Sequence, residues 1–212
     1  MMVLVACEES QVVCKAFRGL GHEAYSCDII PCSGGHPEWH IQGDALKILN
    51  DGWDLLIAHP PCTRICNSGV SWLNRRNLWD EMREASVFFR KFIDAPVKHI
   101  CVENPIPHKY AMEIIGQRYA QTIQPWQFGD DASKRTCLWL RNLPKLKPTD
   151  VIVKTRYANQ TPSGRDKTGP SPERARIRSK TYQGIADAMA DQWSAYMANK
   201  NHIIQASIPF AP

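Results

Sequence analysis

Val3 to Cys7, Glu23 to Asp28, Trp53 to Ala58 and His99 to Val102 are short strand-like runs, and amphipathic stretches separate them. Between the first two, Val12, Val13, Ala16, Phe17 and Leu20 recur at helical spacing until Gly21 stops the helix. Ile41 to Leu49, Trp79 to Ile93 and Tyr110 to Gly116 read as further helices, and Thr122 to Phe128 with Thr136 to Leu140 as a closing strand pair. The third strand must end at His59-Pro60-Pro61, because proline cannot donate to a sheet ladder. Strands alternating with helices predict an α/β fold, a mainly parallel sheet covered by helices on both faces. Ligands then bind beyond the carboxyl ends of its strands.

A chain of 212 residues, 43% apolar and 22% charged, has the size and composition of a single globular domain spanning 1–212. It holds no apolar run of membrane-spanning length and starts without the basic, apolar pattern of a secretory signal, so a cytoplasmic location is expected. The eight cysteines show no small-scaffold spacing and are read as reduced. Charge is unevenly spread: Ala132 to Thr181 carries 13 Lys and Arg against 3 acids, while the rest carries 13 against 18. Within that region, residues 144–181 turn to Pro, Gly, Thr, Lys and Arg and read as a long basic loop, followed by a carboxyl-terminal helix over 182–198. A basic segment of this kind suits phosphate contacts, and equally a solvated surface.

Each strand end in the first half carries a reactive or acidic residue: Cys7-Glu8-Glu9-Ser10, Asp28, Pro61-Cys62 and Glu103-Asn104. A carboxylate after the second strand can accept hydrogen bonds from the ribose hydroxyls of an adenosine cofactor, which marks Asp28; Asp44 can meet the adenine amino group. Taken singly such acids are also ordinary helix caps. Cys62 follows a rigid Pro-Pro turn, with Arg64 near enough in sequence to favour its thiolate.

The order Cys7 to Ser10, Asp28, Gly43-Asp44, Pro61-Cys62 and Glu103-Asn104 resembles the ordered motifs of the cytosine-5 DNA methyltransferase family. Phe128 to Leu140 is similar to that family's motif of paired basic residues before a strand, and Tyr182 to Ala188 to its closing motif. The resemblance implies a Rossmann-like, S-adenosylmethionine-dependent methyltransferase acting on DNA. It implies a catalytic set of Cys62, Glu103, Lys134 and Arg135. It also implies a cofactor pocket of Cys7, Glu8, Ser10, Asp28, Ile29, Asp44, His59 and Pro61, to which Gly184, Ile185 and Ala186 return. Three features depart from the family: no glycine precedes Gly19, Ser133-Lys134-Arg135-Thr136 replaces paired arginines, and 144–181 stands where a large target-recognition domain is expected. Compact chains of this pattern resemble phage-borne members acting inside a host cell, with little sequence choice.

In the implied chemistry a Cys62 thiolate adds at carbon 6 of cytosine, and Glu103, its pKa raised by partial burial, supplies the proton to ring nitrogen 3. The base must be flipped out of the duplex or already single-stranded. Cys66 is expected to be dispensable. The same chemistry on RNA, as in the family's tRNA-modifying branch, and a nucleic-acid-binding protein with a decayed catalytic site are the alternatives. Cys27, Cys32, His36 and His40 have spacings that zinc uses, but such spacing often arises by accident and no metal is expected. Trp72, Arg75, Arg76 and Trp79 read either as a loop closing over a base or as a helix start with two core tryptophans.

Overall fold

The computed structural model describes residues 1–169, 171 and 173–206. Seven strands form one sheet: β1 (Met2–Ala6), β2 (Glu23–Asp28), β3 (His40–Gln42), β4 (Leu55–Ala58), β5 (His99–Pro105), β6 (Gln121–Ile123) and β7 (Thr136–Arg141). Their spatial order is β3-β2-β1-β4-β5-β7-β6. The first five run parallel; β7 is antiparallel to β5, and β6 to β7. The helices are α1 (Val12–Gly19), α2 (Ser71–Arg75), α3 (Trp79–Ile93), α4 (Lys109–Ile115), α5 (Arg174–Ser179) and α6 (Gln183–Ala206). This mostly parallel sheet, flanked by helices on both faces, is consistent with the Rossmann-like fold of class I methyltransferases. Among the described residues, no helix is long and apolar enough to cross a membrane.

Alternation along the strands builds two cores. Leu4, Ala6, Leu56, Ala58, Ile100, Val102 and Trp139 point to one face, where Leu73, Met82, Phe89, Phe92, Ala111 and Ile115 of α2, α3 and α4 cover them. Val3, Val5, Leu55, Ile57, Cys101 and Leu138 point to the other, under Val13 and Phe17 of α1 and Ile185, Met189 and Trp193 of α6. Both faces of β1 and β4 are therefore buried, as a central parallel strand requires.

Three sequence expectations are corrected. Ile41 to Leu49 is not a helix: Ile41 pairs with Cys27 at the open edge of β2, and only Ala45–Ile48 makes a short 3-10 turn, capped by the Asp44 carboxylate. Burial of Ala45 and Leu49 mimics helical spacing there. The expected strand over Thr122 to Phe128 ends at Ile123, because Pro125 opens a 3-10 turn. The basic stretch contains α5, and it is stitched to the turn before β7: Thr149 and Ile152 donate to the carbonyls of Gln127 and Trp126, and Asn159 bonds Ser133 in both directions.

α6 enters against that same turn. A Cβ added at Gly184 would lie 1.7 Å from the Phe128 carbonyl oxygen, so the first turn of α6 tolerates no side chain here. Gly184→Ala is expected to cost about 1–3 kcal/mol, the scale of forced overpacking. Gly19→Ala, in the last turn of α1 with nothing near its Cβ, should be neutral or stabilising by up to about 1 kcal/mol. Denaturant titration of the two variants checks both signs.

Candidate active site

Register decides which residues meet at the carboxyl edge. Ala58 pairs with Ala6 on one side and with Val102 on the other, so the residues that follow, Cys7, His59 and Glu103, stand at one level, where β1 and β4 end and β5 continues against β7. His59 Nδ1 lies 3.3 Å from Glu103 Oε2, and both side chains are about nine-tenths buried. Glu103 is held from the other flank by β7, which pairs it with Leu138. Burial raises the Glu103 carboxyl, but the Lys134 ammonium, the His59 hydrogen bond and charge, and the Thr136 hydroxyl outweigh it and hold the group below the usual carboxylate range. The expectation that burial leaves Glu103 with a raised pKa is thus corrected: charged and polar neighbours win.

Cys62 opens a turn in which the N–H groups of Ile65 and Cys66 both donate to its carbonyl. That turn is tied to the stretch after β5, since Asn67 N–H donates to Ile106 O and His108 N–H to Ile65 O. His108 completes the tie: its Nδ1 accepts from Ala111 N–H at the start of α4 while Nε2 donates to Arg64 O. Arg64 itself points away, its guanidinium 2.7 Å from Glu81 on α3, so it does not serve the Cys62 thiolate. Lys134 is the cation that acts on Cys62, without offsetting the causes that push its thiol up.

The turn also places Cys66 against Cys62, a contact that sequence spacing had not singled out. The Cys62 thiol donates to the Cys66 sulfur, which also has the Ser68 hydroxyl at 3.1 Å and the Ser68 and Gly69 N–H groups around it. These donors pull the Cys66 thiol well below its ordinary range, and the shared proton together with burial pushes Cys62 up. The two thiols are thus displaced in opposite directions.

Around Cys7 the structure brings together Asp28, Cys27 and Asp44: burial first, and then the charges of these neighbours, push the Cys7 thiol far up. Each aspartate has one oxygen committed, Asp28 to Ile30 N–H and Asp44 to Leu46 N–H. Ile29, beside Asp28, is 74% exposed. Glu8 turns inward instead: its two oxygens accept the N–H groups of Val13 and Cys14 at the start of α1, and burial raises its carboxyl. Its neighbour Glu9, not among the expected pocket residues, is buried, and its Oε1 has no partner. Ser10 is buried beside it and Pro61 is exposed. Ile185 and Ala186 lie inside the core under α1 rather than at the strand ends, and Gly184 N–H donates to Asp130.

Lys134 reaches across to the Arg178 carbonyl at the end of α5, and Arg135 faces solvent. Trp72 is exposed with the Arg76 guanidinium 4.5 Å from its ring, whereas Trp79 packs edge-on to Tyr110. The residues with zinc-like spacing are otherwise engaged: His40 bonds the Ser26 hydroxyl and the Ile30 carbonyl, His36 stacks on Trp39, and the Cys27 thiol donates to Gly43 O. Among the described residues, no three side chains of His, Cys, Asp or Glu stand together as a metal site.

No family model matches the sequence, and no curated protein matches it. Solved structures do. One is an E. coli protein described as a DNA modification methyltransferase encoded within a prophage, 13% identical with a TM-score of 0.41 over 66% of this chain and 46% of that one. Another is the methyltransferase EhMeth of Entamoeba histolytica, 16% identical with a TM-score of 0.47 over 72% of this chain and 57% of that one. The chain spans about half the length of the solved structures it matches. At these levels the likeness carries no weight in assigning chemistry, which rests on the residues above.

The sulfur pair has a spectroscopic consequence. A pH titration of ultraviolet thiolate absorbance should show one thiolate per chain forming below the ordinary thiol range, lost in Cys66→Ala and shifted upward in Cys62→Ala. Absorbance that rises only in the ordinary thiol range would remove the shared-proton reading.

Proposed function

We propose that this chain is an S-adenosylmethionine-dependent methyltransferase that modifies carbon 5 of cytosine in DNA through a covalent adduct on Cys62. The observation that carries this reading is the meeting of Cys62, Glu103 and Lys134 beyond the adjacent parallel strands β4 and β5, where an open sheet binds its ligand.

The residues at the other end of the crevice fit the cofactor. A buried Glu9 oxygen without a partner needs a cationic or donor group, and the cofactor carries an ammonium and a sulfonium. Asp28 and Asp44, gathered around Cys7, supply acceptors for ribose hydroxyls and an adenine amino group, and exposed Ile29 supplies an apolar surface beside them. When bound, S-adenosylmethionine supplies the electrophilic methyl that the activated ring attacks.

The chain's own residues prepare that ring. Cys62 adds its sulfur to carbon 6 as its proton passes to the Cys66 sulfur, which hydrogen-bond donors hold ready. Cys66 is therefore a participant in this reading, not the dispensable neighbour that sequence alone suggests. Glu103 is the group that passes a proton to ring nitrogen 3, and Lys134 offsets the charge of its carboxylate. Exposed Trp72 between Arg75 and Arg76 offers a stacking surface for a base outside the helix. The stretch 144–181 supplies phosphate contacts: Lys145, Lys147, Arg156, Arg165 and Lys167 are exposed, whereas Lys154 pairs with Asp131 and holds the stretch in place.

Transfer of labelled methyl from S-adenosylmethionine to cytosine-containing DNA tests the reading, with tRNA as the competing acceptor. Cys62→Ser should abolish transfer while leaving the unfolding transition unchanged. Full turnover by this variant would remove the covalent mechanism, methylation of tRNA alone would move the substrate to RNA, and transfer to neither would leave a binding protein.

Neutralising Lys145, Arg156 and Arg165 in pairs should weaken DNA binding equally across sequences. It should also flatten the slope of log affinity against log salt by about 0.9 per lost phosphate contact on duplex. A fixed slope with lost preference for one short sequence would show that the segment reads bases.

A further inference from the structure

His59 enters the site from the turn that carries Cys62, yet it faces Glu103. The ring sits between two buried carboxylates: Glu103 of β5 at 3.3 Å from Nδ1, and Glu8 of the β1–α1 connection, whose carboxyl feels the imidazole charge. Other charged or titratable groups bearing on this assembly are Lys134 ahead of β7, which acts on Glu103, and Cys62 of the Cys62–Cys66 pair, Cys101 of β5 and Cys137 of β7, on all three of which the Glu103 charge acts. The Thr136 hydroxyl of β7 also lies against Glu103. His59 Nε2 is fully buried and has no partner.

This arrangement leaves the proposed proton donor in the wrong state. Glu103, held below the carboxylate range, is ionised at neutral pH and has no proton to give to ring nitrogen 3. The nearest group able to carry one is the imidazole hydrogen-bonded to it. We infer that His59 is a positioning residue that stores the catalytic proton and delivers it to the substrate through Glu103. This rests on the methyltransferase reading above and assigns His59 a task other than holding the cofactor.

The steps balance. The Nδ1–H bond of the His59 imidazolium breaks as an O–H bond forms on Glu103 Oε2, leaving a neutral imidazole and a neutral carboxylic acid. That acid proton then passes to ring nitrogen 3 while the Cys62 sulfur bonds to carbon 6. On elimination the carbon 5 C–H bond breaks and its proton passes to water, the C6–S bond breaks so that the Cys62 sulfur leaves with the electron pair and retakes its proton from Cys66, and the proton on nitrogen 3 returns to Glu103 and on to Nδ1. The transfer to Glu103 is driven by docking: a base that covers the pair excludes water, which disfavours the separated imidazolium and carboxylate relative to the two neutral groups. Register supports the same assignment, because the pairing of Ala58 with Val102 makes His59 and Glu103 neighbours in the next row, with no loop between them to adjust.

His59→Gln keeps an amide that can hydrogen-bond Glu103 but cannot store a proton, and His59→Ala opens room for added imidazole. Expected for His59→Gln is a loss in kcat of about a hundredfold or more, the scale of a positioned acid, with KM for DNA and S-adenosylmethionine unchanged. The pH profile of kcat should differ between the wild type and His59→Gln, the variant losing the limb that depends on the stored proton. Imidazole should restore part of the His59→Ala rate. Trapping on DNA that contains 5-fluorocytosine separates this inference from its parent: no adduct with the wild-type protein overturns the methyltransferase reading itself. A wild-type adduct together with an unaltered pH profile in His59→Gln, or a loss confined to KM for S-adenosylmethionine, overturns the relay alone.

Discussion

The common register of β1, β4 and β5 is the constraint on which the rest of the molecule depends. Ala6, Ala58 and Val102 lie side by side, so β1 and β4 end at the level where β5 carries Glu103 onward against β7, and Cys7, His59 and Glu103 stand in one row at that edge. The chain then diverges: β1 leads outward to β2 and β3, while β4 leads to β5, β7 and β6. Loops leaving β1 and β4 therefore part from one another, and the gap between them is where an open parallel sheet takes its ligand. A slip of one residue between β4 and β5 would turn Glu103 to the opposite face and dismantle the site without touching either core in composition.

Charge at that edge is handled in two ways, and the contrast shows what each carboxylate is for. Glu8 and Glu103 are both buried glutamates. Glu8 is met by the His59 charge and by backbone N–H dipoles at the start of α1, which together do not offset its burial, and its carboxyl rises. Glu103 is met by the Lys134 ammonium and His59, and its carboxyl falls. The His59 charge acts on both glutamates, so the opposite outcomes follow from the Lys134 ammonium, which leads the causes that lower Glu103. Lys134 owes its place to the basic stretch as well, because its ammonium is anchored on the Arg178 carbonyl at the end of α5. A segment that looks like a solvated loop in composition thus helps set the charge of the buried acid.

Legibility in the sequence followed the range of the interactions. Period-two and period-3.6 patterns are local, so β2 and α3 are found with the boundaries read from sequence, and β1, β4 and α1 within one or two residues. Strand ends fall out of the same patterns, which is why Asp28 at the end of β2, Cys62 after β4 and Glu103 near the end of β5 can be placed at the carboxyl edge from sequence. Ile41 failed because its partner is Cys27 across the sheet edge, a pairing that spacing within one segment cannot reveal. The direction of the Glu103 pKa failed for a related reason: burial is foreseeable from a strand position, but Lys134 and His59 reach it from other elements. Cys66 and Glu9 were missed although both stand next to residues already singled out. A second cysteine four residues after the first, just past a Pro-Pro turn, was the available signal for Cys66; Glu9 offered none, since only the fold leaves its Oε1 without a partner.

The turn after β1 shows how a chain without an early glycine still packs tightly at the carboxyl edge of the sheet. Cys7 and Gln11 both adopt left-handed backbone with φ of 58°, a conformation that costs a non-glycine residue about 1–3 kcal/mol. Gln11 offsets its share through its side chain, which accepts from His36 N–H and donates to the His36 carbonyl and the Ser26 hydroxyl. The close approach that a glycine in the turn would have allowed is provided from outside it. A Cβ on Gly34 would lie 2.5 Å from Gln11 Cβ and 2.6 Å from the Ser10 carbonyl, so the missing side chain on the facing loop makes the room. The work of one glycine-rich turn is divided between two strained residues and a glycine more than twenty positions away. Because the Gln11 side chain fastens the turn to that loop, the strained backbone is held in place before any ligand arrives, and binding need not supply the energy to form it.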